Sequence, residues 1–258
     1  MNLIILLLLI VVVGLIIYLF LKNFFKTRKK IKVTAPVTQE QRASGPELLS
    51  TPSPDRLRPD YLSLCDISLP YTEPIIFENI LSKEECKLIK KLALDKGLES
   101  SKVKDDQVTM ERKSKTCWLA FNDHPLIDKL YDRVEKITGQ PKSKCEELQV
   151  VQYHPNEFFN YHYDQCFMKD DYCKKELKRY HQRPRDRTMI IYLNEPTEYS
   201  GGETVFLNLD KEFKEPAGTG VLFENLDQSK TFVHPKAKHA GTPVISGEKW
   251  ICNLWIRS

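Results

Sequence analysis

Leu148-Gln-Val-Val-Gln-Tyr153, followed at once by His154-Pro155-Asn156-Glu157, marks where this chain turns from helical to extended patterning. The first six residues alternate and the next four turn the chain, as a short strand running into a tight turn does. The same grammar recurs in Met189-Ile-Ile-Tyr-Leu193, Thr204-Val-Phe206, Gly220-Val-Leu-Phe223 and Trp250-Ile-Cys-Asn-Leu-Trp255, with Gly, Pro and Asn between the segments. Upstream the pattern differs. Ile75-Ile-Phe77 reads as a short strand, and Ser82-Lys-Glu-Glu85 as a capping box in which the Ser82 side chain and Glu85 satisfy orphan amides reciprocally. The helix it opens carries Leu88, Ile89 and Leu92 on one face and stops by Gly97. A second helix starts around Asp123-His124-Pro125, repeats Ile127, Leu130, Tyr131, Val134 and Ile137 at helical spacing, and ends at Gly139. Helices first and short strands after them predict a mainly β fold with packed helices: a β-sandwich or jelly roll with helices on one sheet. The expected boundaries are helical support over about 75–145 and a jelly-roll core over about 146–258.

The first 74 residues read differently. Residues 3–21 (LIILLLLIVVVGLIIYLFL) are unbroken apolar sequence, and a span needs about 20 such residues. A cleaved signal peptide is the rival, but its apolar core runs to only about 7–15 residues after a basic leader. Here the leader has no Lys or Arg and no small-x-small site follows. The expectation is a transmembrane helix in a 1–32 anchor. Residues 22–32 add six basic residues and no acid. Residues 33–74 hold seven of the fifteen prolines among Ser, Thr and charge, the composition of an extended tether. The basic cluster after the span favours a cytosolic domain by the positive-inside rule.

With 258 residues, 41% hydrophobic and 29% charged, the chain has room for one generous domain plus appendages. A net charge of +4 is too small to imply nucleic acid. The seven cysteines make no CxxC and no zinc-finger spacing, so free or buried thiols are expected. If any two pair, Cys166 and Cys173 are the nearest candidates. None of the ten asparagines begins an Asn-x-Ser/Thr acceptor, which also favours the cytosol.

The chemistry-bearing residues lie among the strands. His162 and Asp164 are two apart, and on a strand residues i and i+2 face the same way, so both can meet one ion. A distal histidine completes a two-histidine, one-carboxylate set, which holds non-haem Fe(II) and leaves coordination positions open. His234 and His239 both lie at a plausible distance. His239 is favoured, because His-Ala-Gly-Thr-Pro-Val is followed by Gly247-Glu-Lys-Trp250. Lys249 sits in apolar strand sequence beside Trp250 and Ile251, and a lysine so placed wants an anion. A dicarboxylate such as 2-oxoglutarate would supply it, with Tyr153 and Thr204 offering hydroxyls to the same carboxylate.

These stretches, together with Ser114-Lys-Thr-Cys-Trp-Leu119, Arg185-Asp-Arg-Thr-Met-Ile-Ile-Tyr-Leu-Asn194 and Gly201-Gly-Glu-Thr-Val-Phe206, resemble the prolyl 4-hydroxylase alpha-subunit-like family of Fe(II)/2-oxoglutarate dioxygenases, over roughly residues 75–258. The resemblance implies a double-stranded β-helix, with His162, Asp164 and His239 as iron ligands and Lys249 as the partner of the distal 2-oxoglutarate carboxylate, helped by Tyr153 and Thr204. It implies Arg185, Trp255 and Phe159 at the peptide groove, and ascorbate to rescue oxidised iron. The implied reaction is hydroxylation of prolyl residues at C4 in proline-rich or collagen-like peptides, with 2-oxoglutarate converted to succinate and CO2. Membrane-anchored members more often face the endoplasmic reticulum lumen, which conflicts with the cytosolic reading above.

Two departures bear on substrate. Many members carry tyrosine where this chain has Phe159, which loses a hydroxyl. The segment 165–187 is long and basic, either a lid that selects acidic or extended peptides or a solvated loop. Three rivals remain open. The same chemistry could act on another residue or protein target. The chain could be a membrane-tethered peptide-binding module with a dead site, against which the intact triad and Lys249 argue. A zinc hydrolase would need a general base that nothing near the triad nominates as well as Lys249 nominates 2-oxoglutarate. No second peptide-binding domain is visible, unlike the large collagen-modifying subunits, which is compatible with a free-standing monomer; the sequence names no partner subunit.

Overall fold

The computed structural model describes residues 61–102 and 111–258. The apolar run 3–21, its basic flank and residues 33–60 of the expected tether lie outside them, and among the described residues no helix is long and apolar enough to cross a membrane.

Two sheets face each other. The larger has seven strands in the order β1 (Ile75–Phe77), β11 (Gly220–Glu224), β7 (Arg185–Tyr192), β14 (Lys249–Arg257), β5 (Leu148–Tyr153), β4 (Lys115–Leu119), β2 (Glu99–Ser100). The smaller has five: β10 (Lys211–Phe213), β9 (Thr204–Phe206), β12 (His239–Gly241), β6 (Phe158–His162), β3 (Arg112–Lys113). A two-stranded ribbon, β8 (Tyr199–Gly201) with β13 (Val244–Gly247), completes the set. The named strands pair antiparallel, which gives the jelly-roll-like sandwich.

The central strands read as continuous apolar runs because both of their faces are covered. One set of alternate residues (Val150, Met189, Ile191, Cys252, Leu254) packs outward against the helices α1 (Lys83–Lys96) and α2 (Pro125–Thr138), through Ile89, Ala93, Ile127, Leu130 and Val134. The other set (Val151, Tyr153, Ile190, Tyr192, Ile251) points inward and meets Phe206, Phe213 and Phe223. Period-two alternation therefore puts Lys249, Ile251 and Trp255 on the inner face, away from the helices.

Both helices begin and end where the sequence places them. The Ser82 hydroxyl accepts from the Glu85 amide at 3.2 Å while the Glu85 carboxylate accepts from the Ser82 amide at 2.8 Å. α2 has Pro125 in its first turn and closes on Gly139 at φ 67°, a left-handed cap that glycine adopts freely.

Three expectations need correction. Residues 61–74 are not part of a free tether. Leu62 is fully buried, its amide donates to the Thr231 carbonyl at 2.8 Å, and the Tyr71 hydroxyl donates to the Glu224 carbonyl at 2.8 Å. The folded part therefore starts before Ile75, because apolar Leu62 finds a cluster with Leu226 and Val233. Asp164 is not on the strand with His162: β6 ends at His162 and the chain bends before Asp164, so strand alternation does not bring the two together. The segment 165–187 is not an unstructured loop. It contains helix α3 (Asp171–Arg179), a Cys166–Cys173 disulfide and the start of β7. The other five cysteines are free, with Cys86, Cys117 and Cys252 buried.

Candidate active site

His162 ends β6 and His239 begins β12, and the two are direct partners across that antiparallel pair. One ligand atom from each of His162, Asp164 and His239 lies within 4.8 Å of the others. His162 Nε2 is 3.5 Å from Asp164 Oδ1, and His239 Nε2 is 3.9 Å from Asp164 Oδ2. Both imidazoles are oriented through their far nitrogens. His162 Nδ1 is 2.7 Å from the Asn160 carbonyl oxygen, and His239 Nδ1 is 3.0 Å from that of Ala237. An Nδ1–H donating there leaves each Nε2 lone pair facing Asp164, the tautomer a metal ligand needs.

Asp164 is fixed separately. The Thr188 hydroxyl donates to its Oδ2 at 2.7 Å, and Asn225 Nδ2 donates to that hydroxyl oxygen at 2.9 Å. Thr188 is fully buried on β7 and Asn225 follows β11, so the larger sheet holds the carboxylate that the smaller sheet's histidines meet. Burial alone would raise the Asp164 carboxyl, but the two imidazoles and the Thr188 hydroxyl hold it far below the usual carboxylate range. Burial first, then the His162 ring, pushes His239 down to about 4, so it is neutral at pH 7. The trio thus offers two imidazole nitrogens and one carboxylate oxygen, a donor set that fits Fe(II).

Lys249 enters from the other sheet. It is 2% exposed, and its Nζ donates to Thr204 Oγ1 at 3.3 Å, across the sandwich. The rings of Tyr153 and Tyr192 lie 5.6 and 5.7 Å from the ammonium. Among the described residues no carboxylate lies within ion-pairing distance of it; burial, with Glu203 opposing, drops it to about 7. The Gly201-Gly202 turn leaves room for this side chain. Both glycines have positive φ, a Cβ on Gly201 would come within 2.4 Å of the Pro243 carbonyl, and one on Gly202 would press on Lys249 Cδ at 3.2 Å.

Thr204 therefore stands beside Lys249, and its hydroxyl also accepts from the Tyr192 hydroxyl at 2.9 Å. Tyr153 is the direct partner of Lys249 in the β5–β14 register, but its hydroxyl is engaged by Ser114 and Arg112. Phe159 stacks on His162, centroids 3.5 Å apart and 13° from parallel, with the buried Arg112 guanidinium 4.7 Å from its ring. Arg185 lies 3.9 Å over the Trp255 ring, and both line a groove of about 1350 Å³ that passes His162 and Asp164. Its guanidinium donates to Glu146 through Nε at 2.6 Å and Nη2 at 2.8 Å, and to the Asp164 carbonyl at 3.1 Å. Burial would favour losing the proton; the Glu146 carboxylate reverses this and raises Arg185. His234, the alternative distal ligand, stands outside the trio. It is fully buried, accepts from the Lys236 amide at 3.1 Å, and packs 4.5 Å from the Tyr71 ring.

Sequence reading passed over Thr188, Asn225, Arg112, Glu146 and Tyr192. The Arg-x-x-Thr spacing at Arg185 and Thr188 was the available signal. A threonine on a strand is otherwise ordinary.

The comparisons agree with this geometry. Residues 148–257 match the 2OG-Fe(II) oxygenase superfamily. A putative prolyl 4-hydroxylase from Acanthamoeba polyphaga mimivirus is 34% identical over 198 residues, covering 77% of this chain and 79% of that protein. This chain belongs to the prolyl 4-hydroxylase-like 2OG-Fe(II) oxygenases. Human prolyl 4-hydroxylase subunit alpha-1 is 30% identical over 186 residues, but the oxygenase spans only 34% of that longer protein. Among solved structures, the 2OG complex of the viral collagen prolyl hydroxylase of Paramecium Bursaria Chlorella virus-1 is 31% identical, with a TM-score of 0.59 over 72% of the oxygenase and 97% of that chain. A Trichoplax adhaerens prolyl hydroxylase, solved with a hypoxia inducible factor peptide fragment, shares the fold at a TM-score of 0.53 and 14% identity.

Proposed function

We propose that this oxygenase hydroxylates prolyl residues at C4 in proline-rich or collagen-like peptides, with 2-oxoglutarate as co-substrate and ascorbate maintaining the iron. The observation that carries the reading is a metal-competent trio sharing one sandwich interior with a buried ammonium that has no carboxylate partner among the described residues. An unpaired buried charge is costly, so Lys249 is kept for a ligand's carboxylate. The similarity to prolyl hydroxylases supports proline as the target.

His162, Asp164 and His239 would hold Fe(II), which with 2-oxoglutarate supplies oxidative decarboxylation to succinate and CO2 and insertion of oxygen into a C–H bond. The residues do the positioning. Thr188 fixes the Asp164 carboxylate, and the Asn160 and Ala237 carbonyls fix the imidazole tautomers. Lys249 and Thr204 receive the far carboxylate of the co-substrate. Phe206 and Phe223, 5.4 and 4.9 Å from the His239 ring, keep the interior dry. Trp255 and Arg185 form the groove floor beside Asp164, where the prolyl ring would rest.

Residues 3–21 would anchor the protein in a membrane of the endoplasmic reticulum. The Cys166–Cys173 disulfide supports a luminal domain, because disulfides persist in oxidising compartments, and it outweighs the positive-inside argument. The test is amino-acid analysis of proline-rich peptides after incubation with the full chain, Fe(II), ascorbate and 2-oxoglutarate. 4-Hydroxyproline is expected; oxygen found on lysine or asparagine instead moves the target, and no oxygenated peptide removes it.

A further inference from the structure

One wall of the groove past His162 and Asp164 is α3, and three ties fix that helix. The Cys166–Cys173 disulfide joins its first turn to the chain just after Asp164. Cys173 and Leu177 are buried against Leu62, Leu226 and Val233. Glu176 Oε1 accepts from Arg257 Nη2 at 2.7 Å, and the Arg257 guanidinium stacks 3.5 Å from the Tyr180 ring. Tyr172, Lys175, Glu176 and Arg179 all line the groove, and their i, i+3, i+4, i+7 spacing puts them on one helical face. The Glu176 charge is matched by Arg257 and Arg185. Lys175 and Arg179 are both exposed, and among the described residues neither has a carboxylate within ion-pairing distance, whereas neighbouring Lys174 takes Asp171 at 2.8 Å. Elsewhere the groove carries both signs: Lys96, paired with Asp123, and Lys102 stand against Glu99, Glu111 and Glu147.

Basic residues in the last turn of a helix commonly do no more than complement its dipole. Here both line the groove, on a helix tied at three points, with the Arg179 guanidinium 5.6 Å from the Tyr180 ring. From this we infer that Lys175 and Arg179 select the substrate: the preferred peptide carries Asp or Glu beside the target proline, on the side that lies along α3. The inference rests on the peptide-hydroxylase reading and adds the charge class of the substrate.

The test uses full-length protein and three fluorescein-labelled peptides that differ only in the residues flanking proline: Asp/Glu, Asn/Gln or Lys. Binding is read by anisotropy and oxygenation by peptide mass. Wild type should bind acidic over neutral over basic, with about three- to tenfold between steps at low salt and a collapse of the differences in 0.5 M salt. Lys175→Glu/Arg179→Glu should invert the order, binding the basic peptide more tightly than the acidic one. An order that is flat, or the same in wild type and variant, overturns the inference. An inverted order with no one-oxygen mass gain on any peptide keeps the charge selection and overturns the hydroxylase reading instead, so the two failures are distinct.

Discussion

Lys249 reaches from the end of β14 into the space between the sheets, and its surroundings make a pH-dependent co-substrate site. Its folded value of about 7 lies below the 10.5 of an exposed lysine, so the buried site disfavours the charged form. Binding a carboxylate requires that form. Above about pH 7, 2-oxoglutarate binding must take up a proton, and affinity should fall with rising pH, by up to tenfold per unit. The co-substrate-free protein should show the opposite trend: the unfolded chain holds the proton between about pH 7 and 10.5 while the folded one does not, so stability rises with pH across that window. Lys249→Met should remove both slopes and raise the KM for 2-oxoglutarate roughly 30-fold or more, with peptide binding little changed. Isothermal titration from pH 6 to 9 measures this, and a pH-independent affinity in wild type contradicts it. Thr188 makes a second residue-scale claim. Thr188→Val should weaken Mn(II) binding, read by electron paramagnetic resonance, by about 10- to 100-fold, while Thr188→Ser, which keeps the hydroxyl, should stay near wild type. Equal affinities for the Val and Ser variants would remove Thr188 from the metal site. His162, His239 and Lys249 were legible in sequence because their residue types are rare at such positions. Asp164 is legible through the family resemblance, whereas the strand argument for it does not hold, since its placement comes from a bend and from Thr188.

At the scale of elements, the strands of the inner face and the two supporting helices could be read from local patterning, because capping and period are local properties. Ser82, Pro125 and Gly139 each act where the sequence suggests. α3 was hidden for a physical reason: nine residues with only Cys173 and Leu177 buried give too little periodic signal, and its hold on the fold comes from distant partners such as Arg257 and Leu62. β2 and β3 were missed because two-residue strands have no period to detect. The disulfide is the tie on α3 that can be cut cleanly. In the chain-entropy picture, closing so short a loop contributes roughly 2–3 kcal/mol. Cys166→Ser/Cys173→Ser should lower stability by about that amount in urea unfolding and raise the peptide KM several-fold, while peptide-independent 2-oxoglutarate turnover persists. An unchanged peptide KM would mean that the remaining ties hold the wall by themselves.

For the whole molecule, the two-sheet architecture followed from the order of helices and strands, whereas the start of the folded part did not. Leu62 and Tyr71 look like tether residues in a Pro-rich stretch, and only their contacts with Leu226, Val233 and Glu224 reveal otherwise. Sidedness is a whole-molecule question on which sequence arguments disagree and the disulfide favours the lumen. In tagged microsomes a C-terminal tag should be protected from protease until detergent is added; digestion without detergent would put the domain in the cytosol. The central claim is that the trio and Lys249 couple 2-oxoglutarate oxidation to oxygen insertion into proline. The most direct measurement is peptide product mass under 18O2, with succinate counted in the same reaction and His162→Ala run alongside. The account predicts one 18O atom on proline per succinate formed in wild type and none in the variant. Succinate and peptide oxygen that do not depend on His162, or no 18O in peptide from folded, iron-loaded protein, would contradict it.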